Sequence, residues 1–421
     1  MRQPEALLLD TFRAALTAVD PLQILPPQLP APPAGRTLVV GGGKAAASMA
    51  AAVERHWPES APLAGLVVTR YGHGLPTRVI EVVEASHPLP DGRGETAAQR
   101  MLDMAAGLGS DDLLLCLVSG GGSSLLAAPV AGISLKELRD VTKALLASGA
   151  PIQDINTVRK HFTRFSGGQV AACTPARVCA LILSDVVGDD PSDIASGTCA
   201  PDPGTYQDAL GVLQHWEVAA PATVIWHLES GMAGNVPDTP KPGAPLFRQV
   251  DNRVIGGARE FLAAAAGHLA SRGISVSNLG QAEGDTEHLA RTHAQLVRDH
   301  ISQGRARPHA WLSGGESTVR VANPAGRGGR NSTYLLALGL QLAGAQDVWA
   351  LACDSDGIDG SEDNAGALLR PDMLLTGADI DAATNALAEN RAYDFFRQRD
   401  GLVVTGPTRT NVNDIRLVLL A

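Results

Sequence analysis

The chain has few aromatic residues, few cysteines and no long hydrophobic run, and each absence argues against a class of protein. Aromatic residues make up 4% of the 421 residues, too few for the stacking surfaces that bind single-stranded nucleic acid. The five cysteines include no CxxC pair, unlike a zinc module or a disulfide-stapled secreted domain. No segment reaches the about 18 uncharged apolar residues of a membrane span. A formal net charge of −10 argues against broad binding to nucleic acid or anionic membrane.

Hydrophobic residues, at 45% of the chain, are abundant enough for large cores, and the length favours two domains. Near the N-terminus, Leu8, Phe12, Ala15 and Val19 recur at helical spacing between charged residues. This pattern predicts an amphipathic helix and not a signal peptide. We therefore expect a soluble, cytoplasmic protein that binds neither nucleic acid nor membrane. The sequence leaves its oligomeric state open.

Continuous apolar runs alternate with helical patterns through most of the chain. Four runs in the first half predict strands that are buried on both faces, as in a parallel sheet covered by helices; they span residues 37–40, 65–69, 113–118 and 178–183. The composition changes to Gly and Pro over residues 231–245, and the alternation then resumes. We predict two α/β domains in series, residues 1–238 and 239–421, with a proline-rich bridge at 21–33 that is neither helix nor sheet.

A triple glycine followed by lysine is the sharpest local motif. It follows the first predicted strand and comprises Gly41, Gly42, Gly43 and Lys44. Backbone amides of such a turn can converge on an anion at a helix N-terminus, and the lysine adds a mobile positive charge. The motif is not a Walker A loop, because Leu38 stands where the first glycine of that motif belongs and Ala45 follows the lysine.

The same turn also matches the dinucleotide pattern G-x-G-x-x-A through Gly41, Gly43 and Ala46. That alternative predicts an acidic residue at the end of the next strand. The chain has Thr69 and Arg70 there, which fits NAD poorly and NADP only loosely. A dinucleotide-dependent enzyme therefore stays as an alternative.

A second small-residue turn follows the third predicted strand and has the same anion-binding character. Its members are Ser119, Gly120, Gly121, Gly122 and Ser123. Two further segments carry cations and amides that suit carboxylates and phosphates. The first contains Asn156, Arg159 and Lys160, and the second contains Arg330 and Asn331.

Carboxylates gather directly after two predicted strands. One cluster contains Asp185 and Asp189, the other contains Asp354 and Asp356, and Glu316 follows a third strand. Such loops suit Mg²⁺, a hard cation that keeps several waters and bridges phosphate oxygens. The second cluster is not an EF-hand loop, because Ile358 and Ala365 occupy two of its ligand positions. These five acids are the predicted metal ligands.

Eight motifs in collinear order resemble the type II glycerate kinases, the glycerate 2-kinases with a MOFRL-type C-terminal domain. They are GGGKA, SHPLPDG, SGGGSSLL, NTVRKH, SDVVGDDPSDIASG, SGGEST, GGRN and DSDGIDG. The resemblance implies transfer of the ATP γ-phosphoryl group to the 2-hydroxyl of D-glycerate, with Mg²⁺. It also implies a larger Rossmann-like N-terminal domain, a smaller MOFRL-type C-terminal domain and an active site in the cleft between them.

Six residues of this chain correspond to residues in the matching family motifs, and the resemblance implies that they belong to the site. They are Lys44, Glu316, Arg330, Asn331, Asp354 and Asp356. The predicted catalytic residues are Lys44, Arg330 and Asp189, with Arg159, Lys160 or Arg330 binding the glycerate carboxylate. The chain departs from the family pattern at Ser166, Thr198 and Ser332. The alternatives are an NAD(P)-dependent hydroxypyruvate reductase and a non-catalytic sugar-phosphate sensor.

Overall fold

The computed structural model describes residues 4–345 and 347–421, and the chain divides into two compact units. We call Pro21–Ile255 the central unit. The chain up to Asp20 together with Gly256–Ala421 forms the terminal unit, so named because it contains both ends of the chain. Each unit has its own six-stranded sheet and its own hydrophobic core.

The central unit alternates strands and helices as the sequence predicts. Its strands are β1 (Thr37–Gly42), β2 (Leu63–Arg70), β3 (Ile80–Ala85), β4 (Leu113–Ser119), β5 (Arg177–Leu183) and β6 (Val250–Gly256). Its helices are α2 (Pro21–Ile24), α3 (Ala46–His56), α4 (Gly92–Ala106), α5 (Gly122–Leu125), α6 (Leu135–Ser148), α7 (Ile152–Lys160), α8 (Gln169–Ala172), α9 (Tyr206–His215) and α10 (Ala222–Met232). Short 3₁₀ helices span Pro26–Gln28, Ile194–Ser196 and Pro245–Gln249.

The central sheet has the strand order β3-β2-β1-β4-β5-β6, with β1 to β5 parallel. Every residue of β1 and β4 is buried, because helices cover both faces of the sheet. This is the order of Rossmann-type sheets, in which ligands bind at the carboxyl ends of the strands where the order reverses. In this sheet the reversal lies between β1 and β4, directly before the two small-residue turns.

The terminal unit is mixed α/β. Its helices are α1 (Pro4–Ala18), α11 (Ala258–Ala270), α12 (Thr286–Ser302), α13 (Arg330–Gln341), α14 (Gly377–Ala388) and α15 (Ala392–Arg397), with a 3₁₀ helix at Pro371–Leu374. Its strands are β7 (Ser275–Gln281), β8 (Gly284–Asp285), β9 (His309–Gly315), β10 (Ser317–Thr318), β11 (Val348–Asp354), β12 (Gly366–Leu369), β13 (Leu402–Val403) and β14 (Asp414–Leu420).

The sheet of the terminal unit has the order β13-β12-β11-β14-β9-β7. The last strand of the chain, β14, is inserted antiparallel between β9 and β11. Its first residue, Asp414, pairs with Gly315 on one side and with Asp354 on the other. Residues from distant parts of the chain therefore meet at this end of the sheet.

The division between the units differs from the predicted boundary at 238/239. Residues 239–255 stay with the central unit, because β6 is the sixth strand of its sheet and Thr239 donates a hydrogen bond of 2.8 Å to Asp202. Helix α1 lies in the terminal unit, so the two domains are not simply in series. The region predicted as a proline-rich bridge contains α2 and a 3₁₀ helix, since proline is accepted in the first turn of a helix.

Among the described residues, none of the helices has the length and apolar character needed to cross a membrane. All five cysteines are free thiols. The α/β class and the four strands predicted in the first half are confirmed. The sequence analysis missed β3, a six-residue strand in which only Ile80 and Ala85 are buried.

Substitution of Phe12 tests whether α1 is an integral part of the terminal unit. The Phe12 ring is buried and meets the ring of Phe261 on α11 edge to face, with centroids 6.4 Å apart. Phe12→Ala should lower the free energy of unfolding by about 3 kcal/mol or more, because it leaves a large cavity. Arg13→Ala, on the exposed face of the same helix, is the control in a chemical denaturation series. Equal midpoints for the two variants would contradict this packing.

Candidate active site

The glycine turn after β1 packs directly against the end of β4. Gly41 and Gly43 have φ of 139° and 140°, a region that favours glycine. A methyl group on Gly41 would overlap the carbonyl oxygen of Leu117, and one on Gly43 would overlap the hydroxyl of Ser119. The glycines therefore bring the carboxyl ends of the two central strands together.

Three successive amides of this turn donate hydrogen bonds within the chain. The N–H of Gly43 donates to the Val68 carbonyl at 3.1 Å, and that of Lys44 donates to the Gly120 carbonyl at 2.9 Å. The N–H of Ala45 donates to Ser119 Oγ at 3.0 Å. We expected turn amides to converge on an anion. Instead, the amide of Gly43 joins the turn to β2, and those of Lys44 and Ala45 join it to the second turn.

The side chains of Lys44 and His87 both approach Gly121, which has φ of 81°. A methyl group on Gly121 would lie 2.9 Å from the His87 ring and 3.5 Å from Lys44 Cγ. Because Gly121 has no side chain, a lysine and an imidazole can lie beside the second turn. From sequence, His87 in its Pro-rich turn is more typical of a structural histidine than of a catalyst.

A chain of hydrogen bonds runs from the second turn to α7, and we call it the Ser123–Arg159 network. Ser123 Oγ lies 2.7 Å from Ser196 Oγ, and Ser196 Oγ donates to Asn156 Oδ1 at 2.9 Å. Asn156 Oδ1 also accepts from Nη1 of Arg159 at 3.4 Å. Three predicted residues are thus brought together by Ser196, which the sequence analysis did not select although it lies in the quoted SDIASG motif.

Arg159 is a desolvated cation without an acidic partner. Among the described residues, no carboxylate lies within ion-pair distance of its guanidinium; its hydrogen bond is to Asn156. Burial lowers the pKa of Arg159 to about 10, so it is still charged at neutral pH. A partly buried cation of this kind favours the binding of an anion.

Lys160, the neighbouring candidate, has a different environment. Its ammonium group is buried and lies 3.4 Å from Asp202 Oδ1. Asp202 also accepts hydrogen bonds from the amide of Gly204 and the hydroxyl of Thr239. This arrangement is a closed internal ion pair, so of the two cations on α7 only Arg159 is placed to receive an anion.

The loop after β5 carries Asp185 and Asp189, and the second has an unusual environment. Asp189 adopts φ of 55°, which costs free energy in a residue that is not glycine. Its Oδ1 is buried and has no hydrogen-bond partner among the described residues. A buried carboxylate oxygen without a partner suits a cation, which agrees with the predicted role of Asp189.

In the terminal unit, Arg330 is surrounded by acids. It forms ion pairs with Asp354 at 2.7 Å, with Asp414 at 2.8 Å and with Glu316. Burial by itself would lower the pKa of Arg330, but attraction to Asp414, Asp354 and Glu316 raises it well above the usual value. The guanidinium that we expected to bind an anion therefore orders three carboxylates here, and its predicted catalytic role stays a prediction.

Asp414 is the buried centre of this cluster, and the sequence analysis missed it. It accepts hydrogen bonds from Arg330, from Asn331 Nδ2 at 2.8 Å and from Arg416 at 2.9 Å. Asn331 is fully buried, and its Oδ1 has no partner among the described residues. The signal was weak, since Asp414 and Arg416 lie in a terminal strand without a recognisable motif.

Asp354 and Asp356, both predicted as metal ligands, are buried in the terminal unit. Asp354 Oδ1 accepts from the amide of Asp356 at 2.9 Å, and Asp356 Oδ1 accepts from that of Ile358 at 2.8 Å. Asp359 caps α13 by accepting from the amides of Asn331 and Ser332, and burial raises its pKa. Within the described part of the chain, no group of three or more His, Cys, Asp or Glu residues is arranged as a metal site.

Two family models match the chain. The one described as Domain of unknown function (DUF4147) matches residues 7–229, and the MOFRL family model matches residues 309–414. The chain is 34% identical to D-glycerate 2-kinase of Thermotoga maritima, over 100% of both chains. The chain belongs to the MOFRL-type glycerate kinase family. The resemblance seen in the motifs is thereby confirmed.

Further members of this family are similar to the chain in sequence and structure. A crystal structure of glycerate kinase from Thermotoga maritima superposes with a TM-score of 0.86 at 32% identity and covers 100% of both chains. An Agrobacterium vitis protein, provisionally named hydroxypyruvate reductase, is 45% identical over 97% of this chain and 93% of its own length. The names within the family therefore cover two activities, while the fold is shared.

The two cations of α7 are expected to respond in opposite ways to removal of charge. Lys160→Met leaves the buried Asp202 carboxylate unpaired and should lower the free energy of unfolding by about 3 kcal/mol. Arg159→Met removes a cation that has no acidic partner, so it should leave stability unchanged or raise it. Urea denaturation of the two variants beside the parent measures both. A larger loss of stability in Arg159→Met than in Lys160→Met would contradict the assignment.

Proposed function

We propose that the protein is a glycerate 2-kinase, which transfers the γ-phosphoryl group of ATP to the 2-hydroxyl of D-glycerate. The observation that carries the proposal is the desolvated guanidinium of Arg159, charged and without an acidic partner, at the end of a network that begins in the second turn. It supports recognition of a small anion. The kinase names of several family members support the reaction class.

In this proposal Arg159 binds the glycerate carboxylate. An arginine fork matches the two carboxylate oxygens, and binding would supply the anionic partner that the half-buried guanidinium lacks. Lys44, beside the second turn, would neutralise phosphate oxygens as the phosphoryl group moves. Phosphoryl transfer needs mainly positioning and charge stabilisation from the protein, and both are supported by groups at the carboxyl ends of β1 and β4.

The residues of the central unit fit a magnesium ion, which would neutralise charge on the phosphate oxygens of ATP. Mg²⁺ is usually held by one or two carboxylates, with waters and phosphate oxygens completing its shell. Asp189 would hold it, because its buried Oδ1 has no other partner among the described residues. The metal-binding roles predicted for Asp354 and Asp356 stay predictions, since an oxygen of each accepts from a backbone amide of its own loop.

The alternative activity, hydroxypyruvate reduction, is favoured by two observations and disfavoured by two. It is the activity in the name of the relative that is 45% identical, and the central sheet has the strand order of dinucleotide-binding folds. However, β2 ends in Thr69 and Arg70 without the acid that binds a ribose. The amides of residues 43–45 are also engaged within the chain, so they are poor ligands for a pyrophosphate.

One assay separates the two activities. Purified protein is given D-glycerate, ATP and Mg²⁺ in one reaction, and hydroxypyruvate with NADH or NADPH in another. The proposal expects ATP-dependent formation of phosphoglycerate in the first reaction and no oxidation of the nicotinamide in the second. Oxidation of NADH or NADPH without use of ATP would overturn it in favour of the reductase.

Lys44→Ala should lower the turnover number by roughly 100-fold or more, because a charge that stabilises the transition state is lost. Folding should be unaffected, since the geometry of the turn depends on its glycines. Lys143→Ala, which removes an exposed lysine on α6, is the matched control, with steady-state kinetics as the measurement. Activity of Lys44→Ala within a few-fold of this control would exclude a catalytic role for Lys44.

Asp189→Asn should raise the Mg²⁺ concentration needed for half-maximal rate by roughly tenfold or more, because the amide keeps the shape of the side chain but removes its charge. The neighbouring variant Asp190→Asn is the control, since the Asp190 carboxylate is exposed and accepts from the amide of Ser192. Rates are measured over a Mg²⁺ titration at saturating ATP and glycerate. An unchanged Mg²⁺ dependence in Asp189→Asn would remove Asp189 from the metal ligands.

A further inference from the structure

The Ser123–Arg159 network has a direction that follows from which of its atoms can donate. Asn156 Nδ2 donates to the carbonyl of Asp193 at 3.4 Å, and Asn156 Oδ1 accepts from Arg159. If this amide were rotated by 180°, its oxygen would face the carbonyl oxygen of Asp193 and its NH₂ group would face the N–H groups of Arg159. Both contacts would be repulsive. The chemistry of its two neighbours therefore fixes Oδ1 as the atom that meets Ser196.

A hydroxyl has one proton to donate, and the proton of Ser196 goes to Asn156 Oδ1. In its contact of 2.7 Å with Ser123, Ser196 Oγ must therefore be the acceptor. Ser123 is the donor in that contact, so its own proton is also committed. The half-buried Ser123 hydroxyl has only lone pairs left to offer to a ligand.

The backbone conformation that holds this arrangement is energetically unfavourable. Ala195 and Ser196 have φ of 49° and 57°, which is unfavourable for residues other than glycine and typical of functional sites. The carbonyls of Ser196 and Gly197 accept from the amides of Gly167 and Gly168 at 2.9 Å and 2.8 Å. The strained segment is thus anchored on one side and donates its hydroxyl to the network on the other.

We infer that Ser123 is a specificity-determining residue that accepts a hydrogen bond from a hydroxyl of the substrate, with Ser196 and Asn156 as the positioning residues that set its polarity. A phosphate oxygen is an acceptor at neutral pH and would find no donor in this hydroxyl. A hydroxy acid offers a donor to Ser123 and a carboxylate to Arg159, which lie at the two ends of one network. The inference rests on the proposed function and names how its substrate class is recognised.

The test compares the affinity of D-glycerate with that of two analogues, each lacking one hydroxyl: 3-hydroxypropionate and D-lactate. Dissociation constants are measured by calorimetry on the full-length protein and on Ser123→Ala. Because Ser123→Ala removes the acceptor, it should raise the dissociation constant of D-glycerate about 3- to 10-fold. The analogue that lacks the recognised hydroxyl should bind the variant and the parent equally, whereas the other should weaken as D-glycerate does. Ser124→Ala, in the same turn, is the control and should change none of the three constants.

Ser196→Gly tests the positioning role without added backbone strain, because glycine accepts φ of 57°. It should weaken the binding of D-glycerate by no more than Ser123→Ala does, because the Ser123 hydroxyl can still accept once it has lost its partner. The double variant should bind D-glycerate as Ser123→Ala does, since Ser196 acts through Ser123. Losses of affinity that add up in the double variant would overturn the inference. So would a loss of affinity that is equal for D-glycerate and both analogues.

The outcomes separate the inference from the proposed function. If the parent phosphorylates D-glycerate but Ser123→Ala behaves like Ser124→Ala, only the inference fails. If the parent neither binds nor phosphorylates D-glycerate, the proposed function fails, and the inference that rests on it fails as well.

Discussion

The close approach of β1 to β4 at their carboxyl ends is the constraint on which the rest of the candidate site depends. Gly41 and Gly43 permit it, since any side chain there would overlap the backbone or the hydroxyl of β4. The amides of residues 43–45 join the first turn to β2 and to the second turn, so they serve structure. We therefore propose that the side chains of Lys44, Ser123 and, through the network, Arg159 bind the ligand at this end of the sheet.

Arg159 of the central unit and Arg330 of the terminal unit differ in their ion-pair partners. In the central unit, Arg159 is desolvated and has no acidic partner among the described residues, which favours an anionic ligand. In the terminal unit, Arg330 contacts three carboxylates and Asp414 is shared with a second arginine, Arg416. An anion would supply the partner that Arg159 lacks, whereas Arg330 already has three acidic partners. This contrast leads us to assign the glycerate carboxylate to Arg159 and not to Arg330.

The outline of the central sheet could be predicted from sequence, because strands such as β1 and β4 are continuous apolar runs buried on both faces. Three residues that the motifs singled out, Asn156, Arg159 and Ser123, share one hydrogen-bond network. What sequence could not reveal was the partner of each charge. Lys160 and Arg159 are adjacent in the chain, yet only the fold shows that Asp202 pairs with the first and that no carboxylate pairs with the second.

Other errors have the same origin in long-range pairing. The Gly- and Pro-rich composition of residues 231–245 suggested a boundary there, and only the addition of β6 to the central sheet shows that residues 239–255 belong to the central unit. Asp414 lies in a strand without a motif and becomes central because β14 is inserted between β9 and β11. Likewise, Ser196 gains its importance from contacts with residues that are 40 and 73 positions away. A local sequence pattern does not indicate which distant residues will come into contact.

The central claim is that this chain phosphorylates D-glycerate at its 2-hydroxyl. Phosphorus NMR of the product after incubation with D-glycerate, ATP and Mg²⁺ tests it most directly, because coupling to neighbouring protons identifies the phosphorylated carbon. We predict a monoester signal split into a doublet by the single proton on C2. A triplet from a CH₂ group would show phosphorylation at the 3-hydroxyl, and the absence of any new phosphate ester would contradict the kinase assignment itself.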